Sequence, residues 1–345
     1  MIGPRIAPTP RAGPQSRTAH QGVSYFRYQF SSMPAGCHGM PQVPLFFLKP
    51  AKSPNALLRH LRLKGLGTRG QKIKATQALE FIGHHRLLMY MRPLQDIHKR
   101  FYAHVQFDDI LQLYDFDRRL RLVCLDGIDR IEVAFRSAII NTLALDKACG
   151  PHFYLDAIHF EDGQAHRDLL KQVLGLRENG NASVKHYYRS YNTPALPPVW
   201  TVLEAMTIGQ LSRLFRDLHI DHRKTVAAKF GYDESVLVSW LKSTTLLRNV
   251  CAHHGRLWNA SITADAPIYA NAIKAEFPSH NDRGRIFARA VVVQALLLKI
   301  DATADWKIRF KQLIATLPTA VMAKAGLNTS ELGLLVGWEQ RQFWS

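Results

Sequence analysis

From about residue 54 onward, apolar positions recur along this chain at three- and four-residue steps, and no run of alternating β-branched residues interrupts them. The pattern predicts an all-α fold. Ser53-Pro54 reads as the entry to a first helix, since serine caps well and proline suits a first turn. Leu57, Leu58, Leu61 and Leu63 form its apolar side, and Gly65 and Gly67 end it. A second helix is expected from about Gln71 to Met91, with Ile73, Leu79, Phe81 and Ile82 inward and His84, His85 and Arg86 near its far end. From the cap-like Asp108-Asp109 one long amphipathic helix of roughly 35 residues follows, well above the usual length. Leu111, Tyr114, Leu122, Leu125, Ile128, Ile131, Phe135 and Ile139 make its stripe. Its charges, including Asp117, Arg118 and Arg121, pair at four-residue spacing as on a solvated face. Glu132 and Arg136 also pair but sit beside Ile131 and Phe135, so they could equally face inward.

Beyond residue 145 the pattern breaks, with helical pieces near 164–178 and 184–190 and a break at Pro194, Pro197 and Pro198. Further helices are expected near 199–217, 221–230, 233–254, 282–303 and 305–316, with Thr329 capping a last turn that ends at Gly337. The chain divides into a basic extension (1–42), a small basic helical region (43–105) and an all-α domain (106–345). The first stretch has prolines, glycines and serines without a period; it reads as a mobile tail, an organelle-type leader, or upstream sequence before a start at Met33 or Met40.

At 345 residues and 47% apolar content there is ample material for a core. The net charge of +18 favours a polyanionic partner, nucleic acid before an anionic membrane surface. It is unevenly placed: no Asp or Glu precedes Glu80, while twelve Lys or Arg do. Arg59, Arg62, Lys64, Arg69, Lys72, Lys74 and Arg86 are therefore candidate RNA contacts, though a basic segment can also serve solubility alone. Cys37, Cys124, Cys149 and Cys251 form no Cys-x-x-Cys pair, which fits a reducing, cytoplasmic compartment. No run reaches membrane-spanning length; residues 286–300 come closest but contain Arg289 and Lys299. Gly65 and Gly67 follow no strand, which leaves dinucleotide binding without support.

The densest chemistry lies in residues 246–259, LLRNVCAHHGRLWN. Val236, Leu237, Trp240, Leu241, Leu246 and Leu247 carry an apolar run into it, and Gly255 is a plausible helix stop. At about 100° per residue, Asn249 and His253 share a face, while Arg248 lies about 140° from His253. Loosening near Gly255, an Arg248 side chain folded towards Asn249 and His253, or a second copy across a two-fold axis would each reconcile that geometry. A proton-passing imidazole, a fixed guanidinium and an amide suit metal-free attack of an RNA 2′-hydroxyl on its phosphate. Three plainer readings stand beside it: cations complementing the helix end, a metal site at Cys251, His253 and His254, and a Cys251–His253 nucleophile pair. Only His84-His85 offers the metal further ligands.

The string Leu247-Arg248-Asn249-x-Cys251-Ala252-His253-His254-x-Arg256-Leu257-Trp258-Asn259 resembles the signature of bacterial Abi-like proteins of the AbiD/AbiF type. Those come from phage abortive infection and fall in the HEPN superfamily of helical RNA-cleaving domains. Further motifs agree in order over about residues 45–320: Lys49-Pro50; Gly65-Leu66; Gly83-His84-His85-Arg86-Leu87; Leu113-Tyr114-x-Phe116-Asp117-x-x-Leu120-Arg121; Ile128-x-x-Ile131-Glu132-Val133-Ala134-x-Arg136; Pro198-x-Trp200; and Gly209-Gln210-Leu211-Ser212. His84-His85 departs from the usual aromatic pair, and residues 1–42 have no counterpart. The resemblance implies a HEPN-like bundle acting as a metal-independent endoribonuclease without cofactors, in phage defence or as a toxin. Arg248, Asn249 and His253 would be catalytic, with His254, Arg256, Asn259, Glu132 and Arg136 supporting. It also implies a homodimer with a composite site, and a small RNA or protein antitoxin as partner. A non-catalytic RNA-binding module and a protein-binding regulator are the competing expectations.

Overall fold

The structure, a computed structural model, describes residues 50–345; the basic extension 1–42, the alternative starts Met33 and Met40, Cys37 and Lys49 lie outside the described residues. Among the described residues there is no strand, only isolated bridges, so the fold is all-α. Ser53 caps α1 (Pro54–Leu63) by accepting the Ala56 N–H at 3.3 Å. Leu58 and Leu61 are buried, but Leu63 points outward. The expected second helix is broken: α2 (Lys72–Ala78) runs into a wide π turn (Leu79–Gly83) before α3 (His84–Met91). That turn slips the helical phase, since Gly83 sits at φ +89°. Leu79 is therefore buried as expected, whereas Phe81 is 82% exposed and Ile73, in the first turn of α2, is exposed too.

The long helix α4 (Phe107–Ile139) is the element on which the others pack, and Asp109 secures its start by accepting the Gln106 N–H at 2.7 Å. Ile128, Ile131, Phe135 and Ile139 are buried as the period requires, but the first half is rotated from the expected stripe. Leu113, Phe116, Leu120 and Cys124 are buried there, and Leu122 is 55% exposed. Both sides of this half are apolar in sequence, so periodicity alone cannot choose between them. The charged positions divide as well: Arg118 is exposed, while Asp117 and Arg121 are buried.

Helices α5 (Gly163–Asn179) and α6 (Ala182–Ser190) follow, and the expected 199–217 helix is two, α7 (Val199–Glu204) and α8 (Ile208–Asp217). Thr207 explains the split, because it forms a capping box with Gln210 and so restarts the helix. Next come α9 (Ile220–Ala228) and α10 (Glu234–Ala252). The segment that came closest to membrane-span composition is instead α11 (Ile286–Ile300), buried on all sides through most of its length. No helix among the described residues is long and apolar enough to cross a membrane. Inside α11, Arg289 satisfies its charge on the carbonyls of Ile262 and Ala264, at 2.9 and 3.0 Å, and burial pulls it down to about 10. Gly127 lets α4 meet this helix closely: a Cβ there would lie 2.5 Å from Val293 and 2.7 Å from Trp306 Nε1. Helices α12 (Trp306–Ala315) and α13 (Thr319–Ala323) then lead to a C-terminal segment whose Trp338 and Trp344 pack on Phe287 and Phe310. Residues Ala51–Ser345 form one compact unit, with α3, α10, α11 and α12 all packed on α4.

Candidate active site

Helix α10 ends as a Schellman motif, and the two histidines are its turning point. His253 is the C-cap, its N–H donating to Asn249 O at 3.0 Å. His254 then adopts the left-handed conformation (φ +57°) and donates to Cys251 O at 3.0 Å, while the Gly255 N–H reaches back to Val250 O at 2.7 Å. The expected stop is thus displaced by one residue. Gly255 is required where the chain crosses Val250, because a Cβ would meet Val250 Cγ1 at 2.7 Å. Histidine, not glycine, takes the strained position. Both imidazoles are exposed, and His253's has no hydrogen-bond partner among the described residues.

Arg248 is half-buried, and its Nη1 donates to Asn249 Oδ1 at 3.1 Å. The Arg248 side chain folds towards Asn249 alone, on a helix intact to Ala252, and makes no hydrogen bond to the His253 ring. Asn249 therefore orients the guanidinium rather than the His253 ring.

Burial fixes the segment that follows. Asp117, fully buried on α4, accepts the N–H groups of Leu257 and Trp258 at 3.0 and 2.6 Å through one oxygen. Its other oxygen accepts the Tyr90 hydroxyl at 2.6 Å and the Arg121 guanidinium at 2.5 Å. Arg121 also donates to Gly255 O at 3.2 Å. Burial pushes the Asp117 carboxyl up, and Tyr90, the two amides and Arg121 draw it back; with every contact a donor, the geometry is that of a carboxylate. Burial and the Asp117 charge push the Tyr90 phenol up, so it stays a donor.

Arg86, expected as an RNA contact, and the expected supporting residues take up distinct places. Arg86 donates to the His254 carbonyl, holding the strained residue from α3. Arg256 donates to Met89 O and, at 2.9 Å, to Asn259 O, with its guanidinium 6.0 Å from the Trp258 ring. Burial lowers the Arg256 guanidinium from its ordinary value, while nearby Asp117 opposes the shift. Asn259, itself left-handed at φ +48°, accepts from Arg285 at 3.3 Å. Glu132 and Arg136 do face inward, but Arg136 binds Glu132 at 2.5 Å and the carbonyls of Leu203 and Met206 at 2.9 and 2.7 Å. That pair holds the end of α7. Of the candidate RNA contacts, Arg59, Arg62, Arg69 and Lys72 are exposed, Lys64 is half-buried and Lys74 pairs with Asp108.

Two grooves flank the end of α10. One, about 530 Å³, is lined by His254, Ala252, Arg86, Arg118, Tyr114 and the exposed Phe81. The other, about 370 Å³, is lined by Asn249, Thr245, Arg213, Arg216 and Lys242 between α8 and α10. Arg216, Lys242 and Arg118 pair with Asp217, Asp265 and Asp115, which leaves Arg213 and the exposed Phe81 ring as groups that could meet a phosphate and an unstacked base. The thiol reading fares worse, since Cys251 is 2% exposed and hydrogen-bonded with Cys124, whose thiol that bond and burial hold far above its ordinary value. Cys251, His253 and His254 do not converge as metal ligands, whereas Cys149, His159 and His222 do.

Sequence reasoning passed over the clasp of Asp117, Arg121 and Tyr90. Its signals were an Asp–Arg pair at four-residue spacing flanked by Phe116 and Leu120, and the place of both residues in a motif shared with the resembling family. Residues 77–259, more than half of the chain, match the family model described as Abi-like protein. No curated protein and no solved structure matches.

Proposed function

This chain belongs to the Abi-like protein family, and from that premise we propose that it is a metal-independent endoribonuclease of the HEPN kind, of the AbiD/AbiF type. It acts in the cytoplasm, in abortive infection or as a toxin. The observation that carries this reading is the end of α10, where Arg248 bonds to Asn249, His253 is exposed, and their neighbours Asn249 and His254 each line an arginine-bearing groove. In the reaction, His253 takes the proton of an RNA 2′-hydroxyl as its oxygen attacks the adjacent phosphorus. Arg248, oriented by Asn249, neutralises the charge that gathers on the phosphoryl oxygens. The bond to the 5′-oxygen breaks, leaving a 2′,3′-cyclic phosphate and a 5′-hydroxyl that collects the proton.

The separation of Arg248 from His253 on one helix supports a composite site in a homodimer, each copy completing the other's pair. Silencing by a small RNA or protein antitoxin belongs to the same reading. RNA cleavage with chelator present tests it: His253→Ala or Arg248→Ala should lose about 10²–10⁴-fold in rate. Variants that cleave like wild type would displace the site. No cleavage by any form, with salt-sensitive RNA binding intact, would instead favour a non-catalytic RNA-binding module. Partner affinity that ignores salt would favour a protein-binding regulator.

A further inference from the structure

Away from α10, three elements bring soft and borderline metal ligands to one point. Cys149 lies in the loop after α4, His159 ends the short turn Ala157–His159, and His222 is in the first turn of α9. The Cys149 Sγ, a His159 nitrogen and a His222 nitrogen all lie within 4.8 Å of one another, and all three residues are half-buried. His159 Nδ1 faces His222 Nε2 at 2.9 Å.

The backbone holds this arrangement rigid. The N–H of His219 donates to His159 O at 2.8 Å, and that of Glu161 donates to Asp217 O at 3.0 Å, so the Phe160–Leu218 bridge locks the two histidine-bearing segments together. Phe153 packs edge-on against the His159 ring at 5.9 Å. The Cys149 loop is closed by Gly150, at φ +71°, donating to Asp146 O at 2.8 Å. A groove of about 560 Å³ opens over Cys149, His152 and His159.

We propose that Cys149, His159 and His222 bind one zinc ion, or a metal of similar borderline character, with the fourth position left to water from the groove. One thiolate and two imidazoles are a ligand set zinc favours, and three protein ligands with an open position are a recurrent arrangement. Zinc–nitrogen bonds of about 2.0–2.1 Å place tetrahedral neighbours about 3.3 Å apart, so the two imidazoles must separate by only a few tenths of an ångström. On binding, the Cys149 S–H bond breaks and its proton passes to solvent as the thiolate–metal bond forms. The ion would clamp the loop after α4 to α9. A plain hydrogen bond between the two histidines is the rival account, and it gives Cys149 no part.

Cobalt(II) substitution of the full chain discriminates. Wild type should take up one cobalt per chain with a thiolate-to-cobalt charge-transfer band in the near ultraviolet, and zinc should raise its melting temperature. Cys149→Ser should abolish the band, and His222→Gln should weaken cobalt binding about 10–100-fold. Both variants should keep the metal-free melting temperature to within a few degrees. A wild type without the band overturns the proposal. So does an unchanged band in Cys149→Ser, which would put the metal on another cysteine.

Discussion

Substituting Asp117 tests whether the catalytic segment is held from beneath. Asp117→Ala removes the carboxylate facing Arg121, a side chain only 5% exposed, and leaves the Leu257 and Trp258 N–H groups without their acceptor. Breaking a buried ion pair costs about 3–5 kcal/mol, and a buried unpaired N–H about 1–3 kcal/mol. These overlap because one side chain serves all the contacts, so the expected loss is about 4 kcal/mol, equivalent to a melting temperature lower by on the order of 10 °C. Asp117→Asn should fall between, since its oxygen can keep both amides while its NH₂ confronts Tyr90 and Arg121. Hydrogen exchange gives a local readout that global stability does not. The Leu257 and Trp258 amides should exchange about 10³-fold faster in Asp117→Ala, the factor that 4 kcal/mol implies. RNA cleavage should drop with them, because the segment carrying His254 and Gly255 loses its support. An alanine variant melting within about 2 °C of wild type, with those two amides unchanged, would refute the reasoning.

Further outcomes follow from the same geometry. His254→Gly relieves a left-handed L-residue at about 1–2 kcal/mol, less about 0.5–1 kcal/mol of added chain entropy, so the melting temperature should rise slightly. A fall would mean that the imidazole contributes more than strain. Gly127→Ala should cost about 1–3 kcal/mol in urea titrations through its clash with Val293 and Trp306, and Val293→Ala should recover part of it. Burial, then His85, holds His84 below the ordinary imidazole value. The folded state therefore resists a proton that the unfolded chain accepts, and stability complete above about pH 6.5 should decline as pH falls below it. His84→Gln should flatten that part of a melting-temperature profile.

Much of this was legible in the sequence for physical reasons that also mark where legibility ended. Ser53 and the later half of the α4 stripe follow from capping and a clean 3.6-residue period, while α4 itself starts at Phe107, with Asp108 and Asp109 in its first turn and not at its cap. Phe81 faces outward because the π turn at Leu79–Gly83 breaks the period, a break for which Gly83 is the one residue-type signal, while Ile73 is exposed at the open first turn of α2. Leu122 faces outward although the period favours it, because the first half of α4 is apolar on two sides. The clasp was hidden for a different reason. Four-residue spacing of Asp117 and Arg121 is the same for a solvated pair and a buried one, and only the arrival of Leu257 and Trp258 from far along the chain distinguishes them. The helix stop was displaced because Gly255 answers a steric demand at Val250, not a demand for left-handed backbone.

The proposed metal clamp and the proposed metal-free cleavage put opposite demands on a chelator, and that opposition can be used. If cleavage needs no metal but the clamp stabilises the fold, chelator should lower the melting temperature while leaving the rate at low temperature unchanged. Helix α9 packs against α10, so losing the clamp can loosen the motif's helix only as the temperature rises. Cys149→Ser should then behave as wild type does in chelator, insensitive to further chelation in both stability and rate. A rate that collapses on chelation at low temperature in wild type, and that is already as low in Cys149→Ser without chelator, cannot arise from either proposal. It would mean that cleavage itself requires an ion at Cys149, His159 and His222, and the assignment of the chemistry to Arg248 and His253 would have to be abandoned.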